Sequence, residues 1–224
     1  MKIFKSLRPA PLLILVIFVM TGCHHDQKQA EKLHVDLEKS AQIEQRLAKH
    51  QESLTQNSTK ERKAYKTLLA LQIDQNQDIH ATIKKAQHYN EEQRRTLNDC
   101  DKIFNQGYSL ATNAKPLIKD IKDSKQKEAG LKVLKLIEMR HQLYHTYSKE
   151  YRHVLDLNDK AYKRLSGESD IEVKKLEDNI KKINQAYKNL DNKKEQFNRY
   201  TTQYNQAKWA YYQKAGLQVK QVQN

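Results

Sequence analysis

Glycine and proline are so scarce in this sequence that few turns can be built into it. The chain of 224 residues contains five glycines and three prolines. Two of the prolines, Pro9 and Pro11, and one of the glycines, Gly22, lie in the first 22 residues. Because Gly and Pro mark turns and interrupt regular elements, the remaining 202 residues are expected to form a few long helices with short connections.

Apolar residues recur every seven positions along much of this stretch, which is the signature of helices that pack along their length. The pattern is cleanest in a last segment that begins at a capping box, Ser169–Glu172. One apolar row of this segment consists of Leu176, Ile183, Leu190, Phe197, Tyr204 and Tyr211. The helix is predicted to end at Gly216, where a glycine cap is followed by the apolar Leu217.

Three further helical segments are predicted before it. The first extends from about Asp26 to Gln56 and the third from about Lys125 to Leu165. Between them, one heptad register from Tyr65 to Ile121 predicts a single helix of about 60 residues, roughly 90 Å long.

The boundaries of this middle helix are predicted from two signals. Ser58 and Glu61 form a second capping box at its start, and Pro116 should kink or end it near Ala114. Polar residues on its heptad rows indicate limited stability with good specification of register.

Long helices with short connections pack as antiparallel hairpins. The expected fold is therefore all-α, an elongated antiparallel three- or four-helix bundle or coiled coil that follows a cleaved signal peptide. We expect a signal peptide at residues 1–22, a lipidated tether at 23–30, the helical bundle at 31–217 and a C-terminal tail at 218–224.

The N-terminus has the order of a bacterial lipoprotein signal peptide. A basic start is followed by nine apolar residues, Leu12–Met20, which are too few for the roughly 20 that span a bilayer. Small residues then precede Cys23, whose thiol can receive a diacylglyceryl group. We predict cleavage between Gly22 and Cys23 and a covalent lipid on Cys23, with an ordinary signal peptide as the alternative.

Such processing would hold the protein on the outer face of the cytoplasmic membrane, facing the cell wall. The mature chain has 38 basic residues against 27 acidic ones, an excess of eleven. Positive charge in that location suits teichoic acids, peptidoglycan and anionic lipid headgroups, and export separates the protein from nucleic acid. The candidate polyanion contacts are basic pairs: Lys84, Lys85, Arg94, Arg95, Lys174, Lys175, Lys181, Lys182, Lys193 and Lys194. The alternative is that this charge is only the solvated surface of the helices.

No catalytic motif is found, neither a phosphate-binding glycine loop, nor a nucleophile elbow, nor an HExxH sequence. We therefore expect no enzyme and no cofactor beyond the lipid. His141 and His145 share a helical face, as a zinc pair would, but a half-buried histidine that hydrogen-bonds a neighbour explains His141 too, and no metal site is expected. Cys100 on a heptad row is expected to be a buried thiol.

Three aromatic residues near the C-terminus form a candidate aromatic surface: Trp209, Tyr211 and Tyr212. They span four positions, cover more than one face of a helix, and should leave at least one ring exposed. Two interpretations follow, a stacking platform for sugar rings or a hydrophobic lid over the end of the bundle, and we favour the lid.

The C-terminal segment resembles the closing helix of YkyA-like lipoproteins of Gram-positive bacteria. The similarity lies in KINQAY at 182–187 and YNQAKWAYYQKAGL at 204–217; the N-terminal signal, the length and the helical order also agree. These proteins are described as cell-wall-binding lipoproteins without a catalytic motif. The resemblance implies a non-enzymatic, membrane-anchored protein that binds the wall. A protein-interaction scaffold of the envelope and a metal-binding or enzymatic accessory remain as alternatives. This chain has a strongly basic net charge, whereas many of its relatives are expected to be acidic.

Overall fold

In the computed structural model, the backbone is described over residues 15–70, 76–166 and 173–219, and the side chains over 24–68, 79–166 and 177–219. The regular structure of these residues is entirely helical. The helices are α1 (Leu15–Gln45), α2 (Leu47–Ala70), α3 (Asn76–Thr112), α4 (Ala114–Asp120), α5 (Ser124–Leu165) and α6 (Val173–Lys214).

These helices form four antiparallel rods, which confirms the predicted elongated all-α bundle and settles the number of its helices at four. α1 continues into α2 through a bend at Arg46, whose N–H donates to the carbonyl of Ile43 at 3.1 Å. α3 continues into α4 through Asn113 in the same way, and α5 and α6 are the third and fourth rods. α5 alone, with 42 residues, is about 63 Å long.

The single helix predicted from Tyr65 to Ile121 is wrong. α2 ends at Ala70 and α3 begins at Asn76. The two helices pack antiparallel, because Leu54 with Leu97 and Leu68 with Ile83 each share a core cluster. The seven-residue spacing continues in the sequence across the turn between α2 and α3, because both helices direct apolar rows at the same core.

The helix start predicted at Ser58 and Glu61 is also wrong. α2 passes through both residues without interruption, and Glu61 is only 1% exposed. Its carboxylate has partners on other helices, so it is not available to cap a helix. The other predicted capping box, Ser169–Glu172, lies outside the described residues.

Pro116 acts as predicted. α3 ends at Thr112 and α4 begins at Ala114, which places Pro116 in the first turn of α4. A proline is tolerated there because the N–H groups of a first turn have no partner within the helix.

The apolar row predicted for the last segment faces the core wherever its side chains are described. Ile183, Leu190, Tyr204 and Tyr211 are buried, Phe197 is half-buried, and the side chain of Leu176 lies outside the described residues.

The C-terminus of α6 closes as the sequence predicts. Gly216 has φ +67°, the left-handed conformation that Gly adopts without steric cost. The N–H of Leu217 donates to the carbonyl of Tyr212 at 3.0 Å, and that of Gly216 to Gln213 at 3.1 Å, which together form a Schellman cap.

The lipidated tether predicted at residues 23–30 is helical instead and belongs to the bundle. α1 includes these residues, Ala30 is fully buried and Asp26 is 5% exposed. The apolar periodicity of α1 reaches back to Ala30, one turn before Leu33, so the bundle starts earlier than predicted. Residues 1–14 of the predicted signal peptide lie outside the described residues, and so do residues 220–224 of the predicted tail and the side chain of Cys23.

Candidate polyanion-binding surface and lipid anchor

The turn of α1 that contains Asp26 is clamped to the connection between α4 and α5. The carboxylate of Asp26 accepts hydrogen bonds from the backbone N–H groups of Lys122 and Asp123, each at 2.8 Å. Asp26 is the third residue after Cys23, so the predicted lipid attachment point lies within one helical turn of a fixed contact. The link between anchor and bundle is therefore short and helical.

We define the anchored corner as residues 24–30 together with residues 115–127. Its exposed lysines are Lys28, Lys115, Lys119, Lys122 and Lys125. Among the described residues no carboxylate lies within 4.0 Å of these amines. Two of the nearby acids, Asp26 and Asp123, already accept backbone N–H groups. The corner therefore presents net positive charge on the side of the bundle where the chain leaves Cys23.

The predicted basic pairs differ in whether their charge is already matched. Arg94 forms an ion pair with Asp156 of α5 at 2.7 Å, and Arg95 pairs with Glu92 of its own helix at 2.9 Å. Six others have no carboxylate within 4.0 Å in the described part of the chain: Lys84, Lys85, Lys181, Lys182, Lys193 and Lys194. The side chains of Lys174 and Lys175 lie outside the described residues. The unpaired lysines are the stronger candidates for a polyanion.

The structure places Lys182 beside lysines that the sequence did not single out. A groove of about 690 Å³ between α5 and α6 is lined by Lys149, Lys160 and Lys182, together with His153 and Glu150. The buried Leu157 and Ala186 supply apolar lining. Lys160 and Lys182 also line an adjoining hollow of about 300 Å³. The groove has the charge and open form that a phosphate polymer requires.

The candidate aromatic surface is mostly core. Tyr211 is fully buried and Tyr212 is 2% exposed, so neither ring is available to stack on a sugar, and this part of the prediction is wrong. The hydroxyl of Tyr212 donates to Glu38 at 2.9 Å. Trp209 is half-buried against the same apolar cluster. This burial favours the lid interpretation, because α6 turns the aromatic stripe towards α1.

Cys100 is a buried core thiol, as predicted. It is 4% exposed, and burial, with a smaller contribution from Asp101 and Asp99, raises its pKa to about 11. At neutral pH the thiol is therefore protonated and a poor nucleophile.

A buried ion pair was not predicted. Arg140 of α5 lies between Ile137 and Tyr144 on the core stripe and is 5% exposed. Its guanidinium donates to both carboxylate oxygens of Glu44, at 3.3 and 2.6 Å, and lies 4.8 Å from the ring centre of Tyr204. Its position three residues after Ile137, on a stripe otherwise apolar, is the signal that could have identified it.

A second buried carboxylate, Glu61, is held by neutral groups. Four side chains donate to it at 2.5 to 3.1 Å: Asn90, Gln93, Asn158 and Tyr162. Burial raises the pKa of Glu61, although these hydrogen bonds act in the opposite direction. Asn90 and Gln93 are two of the polar residues on the heptad rows of the predicted middle helix, and the structure gives them this common partner.

Among the described side chains, no three His, Cys, Asp or Glu residues converge to hold a metal ion. No helix in the described part of the chain is both long enough and apolar enough to cross a membrane.

Comparison with known proteins decides the relationship. The family model of YkyA, described as "Putative cell-wall binding lipoprotein", matches residues 28–214. The chain belongs to the YkyA family. It is also 31% identical over 205 residues to the "Uncharacterized lipoprotein YkyA" of Bacillus subtilis (strain 168), covering 90% of each chain. No solved structure matches.

Family membership confirms the resemblance seen in the sequence and identifies the chain as a lipoprotein of the cell envelope. The matched region begins at residue 28, within the first turns of α1, and ends with the last residue of α6. It therefore covers all four rods of the YkyA bundle.

Proposed function

We propose that this YkyA-family protein is a non-enzymatic lipoprotein, anchored through a diacylglyceryl group on Cys23, that binds anionic polymers of the cell wall. The observation that carries the proposal is the set of exposed lysines without a carboxylate partner, especially Lys149, Lys160 and Lys182 around the groove between α5 and α6. Teichoic acids are the polyanions that a protein in this location would meet, and peptidoglycan carries them.

Lysine suits this role because its ammonium is a point charge on a flexible stem. A flexible polyphosphate chain has no fixed register, so distributed lysines can follow it without a pocket of exact shape. Each exposed contact contributes roughly 0–1 kcal/mol. Useful affinity then requires many contacts at once and should fall steeply with salt, since the screening length shrinks from about 10 Å at 0.1 M to about 3 Å at 1 M.

The anchored corner has a different proposed partner, the anionic headgroups of the membrane itself. Because Asp26 clamps α1 to the α4–α5 connection, a lipid on Cys23 would bring Lys119, Lys122 and Lys125 close to the bilayer. A basic residue near an anionic membrane surface contributes about 1 kcal/mol. The bundle would then stand on the membrane by one end and present the groove to the wall.

Co-sedimentation with purified walls tests the wall proposal. The mature protein should sediment with teichoic-acid-bearing walls at low salt, and a triple charge reversal in the groove, Lys149→Glu, Lys160→Glu and Lys182→Glu, should lower the bound fraction at least tenfold. A matched reversal at the anchored corner, Lys115→Glu, Lys119→Glu and Lys122→Glu, changes net charge equally and should leave wall binding much less affected.

Three results would contradict the proposal. Binding that survives 1 M salt, binding that persists on walls stripped of teichoic acid, or equal losses in the two triple variants would each remove the role of the groove lysines. In the first two cases a specific glycan or protein contact would replace electrostatic attraction.

A further inference from the structure

We propose that His141, His145 and Asn105 form a surface site for a divalent first-row transition metal ion. His141 and His145 lie one turn apart on α5, and Asn105 faces them from α3. The two imidazole Nε2 atoms are 2.9 Å apart. The side-chain oxygen of Asn105 is 3.3 Å from the Nε2 of His141 and 3.2 Å from that of His145.

These three atoms cannot satisfy one another through hydrogen bonds alone. Each of the three contacts needs one proton, and the amide oxygen has none to give. If one imidazole carries its proton on Nε2, the other Nε2 and the amide oxygen face each other as two acceptors. If both imidazoles carry a proton on Nε2, their two N–H groups face each other. Turning the amide of Asn105 over places an NH₂ group in the triangle and leaves one contact unmatched in the same way.

A metal ion removes this conflict, because all three atoms can then direct lone pairs at one cation. Imidazole nitrogen binds zinc at about 2.0–2.1 Å. At that bond length, two nitrogens 2.9 Å apart subtend an angle of about 90° at the metal, which is the angle of neighbouring positions in octahedral or square geometry. The longer distances to Asn105 open the remaining angles slightly. The two Nε2 atoms and the side-chain oxygen of Asn105 can therefore form one triangular face of a coordination polyhedron around an ion that enters from solvent.

The ring of His141 is already held in place. It stacks on Tyr108 with ring centres 3.6 Å apart and an angle of 12°. Because this stacking already orders the imidazole of His141, binding an ion requires less additional ordering of the side chain.

The donor set also indicates the kind of ion. Two imidazoles with one neutral oxygen suit zinc, nickel or copper rather than calcium or magnesium, which prefer oxygen ligands alone. His145 and Asn105 are exposed, so water completes the coordination. This is an exchangeable site, in contrast to the closed four-ligand sites that give zinc a structural role.

Isothermal titration calorimetry with Zn²⁺ tests the site on the mature protein, purified in detergent without a histidine tag. We expect one Zn²⁺ per chain, and His145→Ala should weaken it at least tenfold. Asn105→Asp should tighten it severalfold, because a carboxylate replaces the amide oxygen. His153→Ala is the matched control, since His153 is exposed on the same helix, and it should leave the affinity unchanged.

Thermal unfolding in the presence of a chelator shows whether each variant is folded. His145→Ala and the wild type should then unfold at the same temperature, and only the wild type should gain stability on addition of Zn²⁺. Zn²⁺ binding that is absent from the wild type, unaffected by His145→Ala, or lost equally in His153→Ala overturns the site. So does an Asn105→Asp variant that binds no more tightly than the wild type.

Discussion

Glu38 and Glu61 are acidic residues in the same rod, and their surroundings give them opposite properties. Glu38, near the anchored end, accepts from the ammonium of Lys208 at 2.8 Å and the hydroxyl of Tyr212 at 2.9 Å. Partial burial opposes its ionisation, but these hydrogen bonds and the charge of Lys208 lower its pKa. Glu61, towards the far end, has only neutral donors, and burial raises its pKa.

The comparison shows what a cation adds to a set of hydrogen bonds. Four good donors satisfy the oxygens of Glu61, yet they do not offset the loss of water around a charge. At the half-exposed Glu38, a single lysine is enough to offset the loss of hydration, because solvent still hydrates part of the carboxylate. In the nearby pair of Arg140 and Glu44 a cation also faces the carboxylate, with deeper burial.

The largest expected effect comes from removing the carboxylate of Glu61. Glu61→Leu removes the common acceptor of four buried donors. The amides of Asn90, Gln93 and Asn158 each keep one other acceptor, but every N–H or O–H left unmatched costs about 1–3 kcal/mol. We expect a loss of about 4 kcal/mol in the free energy of unfolding, measured by urea denaturation. Glu61→Gln keeps one oxygen acceptor and should lose less than half as much. Equal losses would mean that the hydrogen bonds contribute little.

Arg140→Leu should have the next largest effect. It leaves Glu44 partly buried without its cation, and breaking a buried pair costs about 3–5 kcal/mol; because the side chain of Glu44 is 20% exposed, we expect about 3 kcal/mol. Adding Glu44→Leu to this variant should restore part of the lost stability, because the unpaired charge is then absent. A double variant less stable than Arg140→Leu would contradict this account.

The pH dependence of stability should separate Glu61 from Glu38. Since the pKa of Glu61 is raised in the fold, its contribution is fully present below the unfolded value of 4.5 and is lost as the pH rises through the folded value. The wild type should therefore gain stability relative to Glu61→Gln as the pH falls from 7 towards 5.

Glu38 should behave in the opposite way. Its pKa is lowered, so its contribution is present above 4.5 and is lost as the pH falls through the folded value. The wild type should lose stability relative to Glu38→Gln as the pH falls below 4.5. Chemical denaturation across pH 3.5 to 7 measures both slopes, and slopes of the same sign would break the comparison.

The smallest effects are expected from two matched tyrosines. Tyr162→Phe removes one of four donors to the buried Glu61 and should cost about 1 kcal/mol. Tyr212→Phe removes one donor to Glu38, which solvent can replace, and should cost below about 1 kcal/mol. A larger loss from Tyr212→Phe would show that Glu38 is less accessible to water than its 39% exposed side chain indicates.

Features that depend on residues close together in the sequence were predicted, and those that depend on contacts between distant residues were not. The bounds of α5, the cap at Gly216 and the break before Pro116 were predicted well, because each depends on residues within one or two turns. The reversal between α2 and α3 was missed, since the apolar rows continue across it with the same spacing. Among the candidate contacts, Lys182 was proposed as part of a basic pair, but its neighbours Lys149 and Lys160 belong to another helix, and spacing cannot relate them.

The sequence by itself determined that this protein is a lipoprotein of the YkyA type with long helices. The N-terminal signal pattern, the apolar periodicity and the scarcity of Gly and Pro are properties of the chain read locally. Only the tertiary structure decided which side chains meet. Glu61 is a core residue because Asn90, Gln93, Asn158 and Tyr162 converge on it from two other helices. In the same way, α1 is fixed directly after Cys23 by backbone groups 96 and 97 residues away. A burial cost or a hydrogen bond depends on distance in space, and that distance exists only once the rods have packed.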